Sequence, residues 1–287
     1  MKVYDNIVVG LDISKGGIAV LKRAFLLAKQ NNSKVTIVHA IDNNWFSELF
    51  SSKNLEELQE HAQKSIENEL EQLDTKGVEY SILVDKDTPS NFVVDTAKKL
   101  NASLVVIGVN EKENKNKPLL GSTAHKIAQN SKIPMIIVKN DCDEDYQNIV
   151  TFTDLSNVSY KSLVFAKEFF KKEEIKTVYA YKQMSEIAFE YYNEADNKEK
   201  IKLGIKQKEE AKFNEFVKEH SLKNSEILEG DLGVNSALMD YVVKNENDLV
   251  VLGSKGLSSP TTLFFGSTTS YLMENLQSDL LIYVPKN

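Results

Sequence analysis

The sequence predicts an α/β chain made of two tandem, doubly wound sheets of five parallel strands each. Three observations carry this. Strand-like and helix-like segments alternate along the whole chain, the pattern of strands joined by crossover helices. The strand segments, such as Leu104, Val105, Val106, Ile107 and Leu249, Val250, Val251, Leu252, are continuous apolar runs, as expected of strands covered on both faces. The order also repeats, because Gly108 and Gly121-Ser122-Thr123 recur at equal spacing as Gly253 and Gly266-Ser267-Thr268, which marks an internal duplication. Residues 1–142 and 143–287 are the expected domains, each of about 140 residues and able to bury its own core.

In the first half, residues 6–11 read as a strand. A helix follows from about residue 14 to 30, with Ile18, Leu21, Phe25 and Ala28 at helical spacing. A second strand covers 34–41. Leu55, Leu58, Ala62, Ile66, Leu70 and Leu73 then form one amphipathic stripe closed by Gly77. Strand 79–84, helix 91–100 and strand 104–107 come next, before a helix after Gly121 and the run 135–138. The second half repeats this order as strand 148–153, helix 159–171, strand 176–181, helix 198–220, strand 226–228, helix 234–244, strand 249–252, a helix after Gly266 and strand 280–284. Leu280 is taken to stand where the first half has Pro134. The acidic stretch 140–147 is the expected linker, and the last strands, 135–138 and 281–284, are expected to pair as an intramolecular pseudo-dimer, since a bare apolar edge must be covered. A homodimer is a further option.

Of the 287 residues, 41% are hydrophobic and 27% charged, the composition of a soluble globular protein. A net charge of -7 argues against nucleic acid or an anionic membrane as partner, because both require a basic face. Cys142 is the only cysteine, so an internal disulfide and a zinc–cysteine cluster are excluded, and its acidic neighbours are expected to raise its pKa. The N-terminus carries no signal-peptide pattern and no apolar run reaches the length of a membrane span. A cytoplasmic location is the expectation.

Ligands of doubly wound sheets bind outside the carboxyl ends of the strands, where the winding reverses. With that reversal between the first and fourth strands, the second half gathers Asp154, Ala180, Gly253, Ser254, Gly256, Gly266, Ser267, Thr268 and Thr269. Glycines let backbone N–H groups approach phosphate oxygens, a helix N-terminus with hydroxyls favours an anion, and Asp154 can accept from an adenine or ribose edge. The first-half equivalents are Asp12, Ala40, Gly108, Gly121, Ser122 and Thr123, but Glu111 replaces Gly256. A carboxylate there repels phosphate. That site is expected to be degenerate.

Val8-Val9-Gly10-Leu11-Asp12 before an amphipathic helix, Val38-His39-Ala40-Ile41-Asp42, and above all Gly253, Gly256 and Gly266-Ser267 with two and nine residues between resemble the universal stress protein family, in two copies over essentially the whole chain. The resemblance implies a Rossmann-like sheet of the adenine nucleotide alpha hydrolase-like kind. It also implies ATP in the glycine loop, with Mg2+ or with ADP or AMP in its place, and a regulatory or survival role in stress rather than a defined metabolic reaction. Members without the full motif often bind no nucleotide. The Phe152-Thr153-Asp154 entry departs from the pattern, as Glu111 does.

No other constellation competes. Lys112, Lys115 and Lys117 could reach phosphates but alternate with acids and asparagines, so a solvated loop is the leading reading, and Lys255 inside the intact motif is the better phosphate contact. His39, His61, His125 and His220 lack metal-ligand spacing, with His39 read as a packed core residue ahead of one that lines the site. Glu186, Glu190, Glu194, Tyr191 and Tyr192 read as a solvated face. No nucleophile elbow or Walker lysine occurs, so no catalytic residue is assigned and at most slow ATP hydrolysis is expected. Three readings stand: an ATP-dependent regulatory module with an unnamed protein partner, a slow ATPase or ATP-using transferase, and a ligand-free scaffold.

Overall fold

The structure, a computed structural model, describes residues 4–13, 17–41, 55–109, 121–192, 194–254 and 265–285. The first half runs β1 (Asn6–Gly10), α1 (Gly17–Asn31), β2 (Lys34–Ile41), α2 (Leu55–Leu70), β3 (Tyr80–Lys86), α3 (Pro89–Lys99), β4 (Leu104–Gly108), α4 (Ser122–Asn130) and β5 (Met135–Val138). The second runs β6 (Ile149–Thr153), α5 (Asn157–Phe170), β7 (Lys176–Lys182), α6 (Glu186–Tyr191), α7 (Lys198–Glu219), β8 (Ser225–Gly230), α8 (Val234–Lys244), β9 (Leu249–Gly253), α9 (Ser267–Asn275) and β10 (Asp279–Tyr283). Each expected strand is present among the described residues.

The strands form one ten-stranded sheet in the order β3-β2-β1-β4-β5-β10-β9-β6-β7-β8. All pairs are parallel except β5 with β10, which run antiparallel with Leu281 opposite Ile136. The two five-stranded sheets are therefore joined edge to edge by the segments expected to pair. Joining them removes two apolar edges that water would otherwise have to solvate. In each half the winding reverses between the first and fourth strands, which locates the crevice at the carboxyl ends of β1/β4 and β6/β9.

Alternate strand residues feed two core layers. Ile7, Val9, Leu104, Leu249, Val251 and Leu281 pack with α1, α2 and α5, whereas Val8, Val105, Val250, Leu252 and Ile282 pack with α3, α4, α8 and α9. The first layer is continuous across the halves, with the Tyr4 ring edge-on to Phe169 at 5.0 Å.

Strand register fixes equivalences between halves. Val105 opposes Met135 and Val250 opposes Leu280, so Met135 corresponds to Leu280 and Pro134 to Asp279; the expectation that Leu280 replaces Pro134 is off by one residue. The difference matters, because Asp279 is a buried carboxylate at the joint. It accepts from the Tyr146 hydroxyl at 2.6 Å and from the backbone N–H groups of Lys139 at 2.8 Å and Asn140 at 3.1 Å. Arg23 stands 3.7 Å from the same Oδ2 that Tyr146 bonds and lies over the Tyr146 ring. The Asp279 pKa is raised, by burial first, with Tyr146, Lys139 and Arg23 opposing.

The linker 140–147 is thus packed rather than loose. Lys22 bonds Asp141 and Asp143, and Arg23 donates to the Glu144 carbonyl at 3.0 Å. Burial pushes the Cys142 thiol up to about 11, with Asp279 and Asp141 as lesser contributors. The expected direction holds, but its first cause is desolvation rather than neighbouring carboxylates. Among the described residues no helix is long and apolar enough to cross a membrane.

Candidate functional site

The second-half crevice starts at the turn from β6 into α5. The Thr153 hydroxyl meets Ser159 Oγ at 2.7 Å and accepts the Leu155 N–H at 2.9 Å. Ser156 caps α5 by accepting the Ser159 N–H, and Asp154 Oδ1 accepts the Ser156 N–H at 3.1 Å. Leu155 takes the left-handed conformation at φ 63, which costs a non-glycine residue on the order of 1 kcal/mol. Asp154 remains exposed at the crevice mouth.

Gly253 ends β9 facing α5. A Cβ added there would lie 3.1 Å from the Ser159 backbone nitrogen, and one on the equivalent Gly108 would lie 2.8 Å from Val20. Both glycines are therefore required for close helix–strand packing, apart from any ligand. Ser254 donates its N–H to the Tyr283 carbonyl at 2.9 Å. Its hydroxyl is buried and has no partner among the described residues, an arrangement rare for native side chains. Gly266 is the N-cap of α9 in extended conformation with no side-chain cap bond, which leaves the first-turn N–H groups without a side-chain cap acceptor. Ser267 is exposed, Thr268 half-buried and Thr269 buried. Val38 opposes Gly10 and Val178 opposes Phe152, which makes Ala40 and Ala180 equivalent; Ala180 is buried at the end of β7. Gly256, Lys255 and the rest of 255–264 lie outside the described residues.

In the first half, Asp12 is exposed, and Leu11 is held by its N–H to the Val38 carbonyl and its carbonyl to His39 Nδ1 at 2.9 Å. His39 is thus half-buried and tied to the turn that presents Asp12. Gly121 caps α4 with nearly the same dihedrals as Gly266, and Ser122 and Thr123 are exposed. Glu111, Lys112, Lys115 and Lys117 lie outside the described residues. His125 contacts Glu274 across the joint at 3.6 Å. Glu186 pairs with Lys198 and Lys202 on the surface. Among the described residues no His, Cys, Asp and Glu side chains cluster in a way that could hold a metal.

One feature of this half escaped the sequence reading. Thr151 opposes Thr177 where Val9 opposes Ile37 in the first half. With Thr153, Ser159 and Ser162 these form a buried hydroxyl layer between the sheet and α5. Among the described residues the Thr151 and Thr177 hydroxyls have no partner. Aligning the halves strand by strand exposes this signal, since Thr151, Thr153 and Thr177 stand where the first half has Val9, Leu11 and Ile37. Near the same end, the Tyr179 hydroxyl donates to Glu209 at 2.7 Å, and burial first, then Glu209, raises its pKa.

A cavity of about 250 Å³ lies at the opposite, amino end of β6 and β7, lined by Asn148, Lys176 and Asn247 among others. Its polar groups largely serve one another, with Asn247 donating to Asn148 at 3.1 Å and Lys176 paired with Glu226 at 3.0 Å.

A sequence model of the universal stress protein family matches residues 3–139 and again 145–284. The chain belongs to the universal stress protein family. Curated relatives include universal stress protein MJ0531 of Methanocaldococcus jannaschii, 27% identical over 48% of this chain and 83% of its own length. Universal stress protein YxiE of Bacillus subtilis is 26% identical over 48% of this chain and its whole length. Among solved structures, a universal stress protein from Archaeoglobus fulgidus superposes with a TM-score of 0.69 at 17% identity, covering 98% of both chains. This universal stress protein therefore shares the tandem architecture at full length with a solved structure, and the single-copy relatives correspond to one half.

Proposed function

We propose that this universal stress protein binds one adenine nucleotide per chain, in its second half, and that occupancy stabilises the conformation a protein partner recognises. ATP is the leading ligand, with ADP and AMP as alternatives. Residues 1–142 and 143–287 act as the two units. The observation that carries the reading is the convergence, at the reversal between β6 and β9, of an exposed Asp154, a buried unpaired Ser254 hydroxyl and an α9 N-terminus lacking a side-chain cap. Unmet donors and a positive helix end suit phosphate. Asp154 suits a nucleoside hydroxyl or amine, and Ala180 leaves room for a flat base at the end of β7. Ser267 and Thr269 supply hydroxyls at the same helix end, and any accompanying Mg2+ would be held through the phosphates. Nothing among the described residues is placed as a general base. A nucleotide acts through its preference for one state, by mass action.

Equilibrium titration of the full chain with ATP, with product analysis, tests this. One site per chain is expected. Gly256→Glu, which copies the first half's own residue at Glu111, should remove it without unfolding the chain, because the sequence reads Gly256 as a loop residue. Two sites of equal affinity, or full affinity retained in Gly256→Glu, would place the ligand elsewhere.

A further inference from the structure

We infer that Lys139, a first-half residue, is a positioning residue for the second half's nucleotide cradle, coupling nucleotide affinity to the joint between the halves. The inference rests on the nucleotide reading above. Lys139 follows β5, and its ammonium donates to the carbonyls of Met273 at 2.8 Å and Leu276 at 2.7 Å. Those are carbonyls of the last turn of α9, the helix whose first turn is the proposed phosphate cradle. Its backbone N–H is at the same time fixed to Asp279 at the start of β10. One residue of the first half thus holds the far end of the helix and the strand beside it.

The arrangement is one-sided. Gly108 opposes Val138 and Gly253 opposes Tyr283, so the position matching Lys139 in the second half is Val284, which is apolar and buried. Helix α4, beside the degenerate motif, therefore receives no cation from that position. The clamp serves only the half with the intact motif.

The ammonium satisfies carbonyls that the helix cannot satisfy itself and opposes the negative end of its dipole. It lies about 15 Å from the cradle, along a helix rising 1.5 Å per residue. At that separation inside a protein, one unit charge changes the affinity for an anion by about threefold to fivefold. Burial lowers the Lys139 pKa to about 8, with Asp279 opposing, so the charge is lost on mild alkalinisation. The charged groups around it are few. Asp279 on β10 faces it; Arg23 on α1, Tyr146 and Cys142 border the same carboxylate; Glu274 on α9 is paired with His125 on α4.

The test is ATP titration of the wild-type chain and Lys139→Met at about pH 7 and about pH 9.5, either side of the clamp's titration but below that of an ordinary lysine. Wild-type affinity should fall about threefold to fivefold with rising pH, and Lys139→Met should hold the weaker value at both. Equal affinities of the two proteins at pH 7, or the same pH dependence in both, would overturn the inference. Should Lys139→Met not fold, a flat wild-type profile does so alone. Amide exchange at Thr269 to Tyr271 without nucleotide separates the two ideas. Faster exchange in Lys139→Met supports the clamp even if wild type binds no ATP, an outcome that would sink the nucleotide reading itself, and unchanged exchange removes the clamp.

Discussion

Replacing Thr151 or Thr177 by valine should stabilise the protein, although both residues are fully inside it. Each hydroxyl is buried and unpartnered, and an unmet hydroxyl costs about 1–3 kcal/mol relative to one that is satisfied. Valine has nearly the same shape and removes that cost without opening a cavity, as Val9 does at the position matching Thr151. A gain of about 1 kcal/mol is expected for each single substitution. The pair should gain less than the sum, because the two side chains are register neighbours. Thr153→Val supplies the contrast. Its hydroxyl bonds Ser159 Oγ and the Leu155 N–H, so the same chemical change two residues along the same strand should destabilise by about 1–2 kcal/mol. Urea unfolding is the assay, read as a shift in midpoint at constant slope. Opposite signs are the content of the prediction. If all three variants destabilise, the Thr151 and Thr177 hydroxyls have partners and the argument fails.

Tyr146→Phe removes the 2.6 Å bond to Asp279 Oδ2 while leaving the carboxylate buried, and should cost about 2–3 kcal/mol; a loss under half of that in the urea midpoint would mean that Arg23 compensates. Lys139 has a folded pKa lowered to about 8, so between that pH and its unfolded value the unfolded chain binds more protons and stability rises with pH. Cys142, raised to about 11, acts in the opposite sense above its ordinary value. The difference between wild type and Lys139→Met isolates the lysine, and should change in favour of the wild type by about 1.5 kcal/mol from pH 8 to 9.5; a constant difference would show that the ammonium is not withdrawn from water.

The sheet, its winding and the pairing of the last strands were legible because they rest on apolar runs and on a repeat, which local sequence records directly. Residues 176–181 and 249–252 could hardly be anything but strands under a parallel pattern. The turn chemistry was legible in part, since Gly266 before Ser267 announces a helix start. What could not be read was tertiary. The role of Gly253 as the floor for Ser159 depends on where α5 crosses the sheet. Asp279 reads as an ordinary polar residue before a strand, and only the antiparallel joint, bringing Tyr146, Lys139 and Arg23 to it, makes it a buried anchor. The off-by-one match of Leu280 to Pro134 has the same origin, because two apolar runs can be aligned in either register until their neighbours are known.

The two halves differ in what their strands turn toward the helices. In the first, the strand facing α1 is aliphatic at Val9 and Leu11. In the second, the same layer carries Thr151 and Thr177, whose hydroxyls have no partner among the described residues, and the crevice adds Ser254, likewise without one, and a left-handed Leu155; among the described residues the other non-glycine residues at positive φ close helices. Such features lower stability and persist only where surrounding structure overrides them. Here the surrounding structure is the other half. Its Tyr4 packs on Phe169, its Gln30 donates to the Phe170 carbonyl at 2.9 Å, and its Lys139 and Arg23 hold the second half's last helix and strand. The contacts that the first half makes across the joint are of the kind that offset such costs in the second.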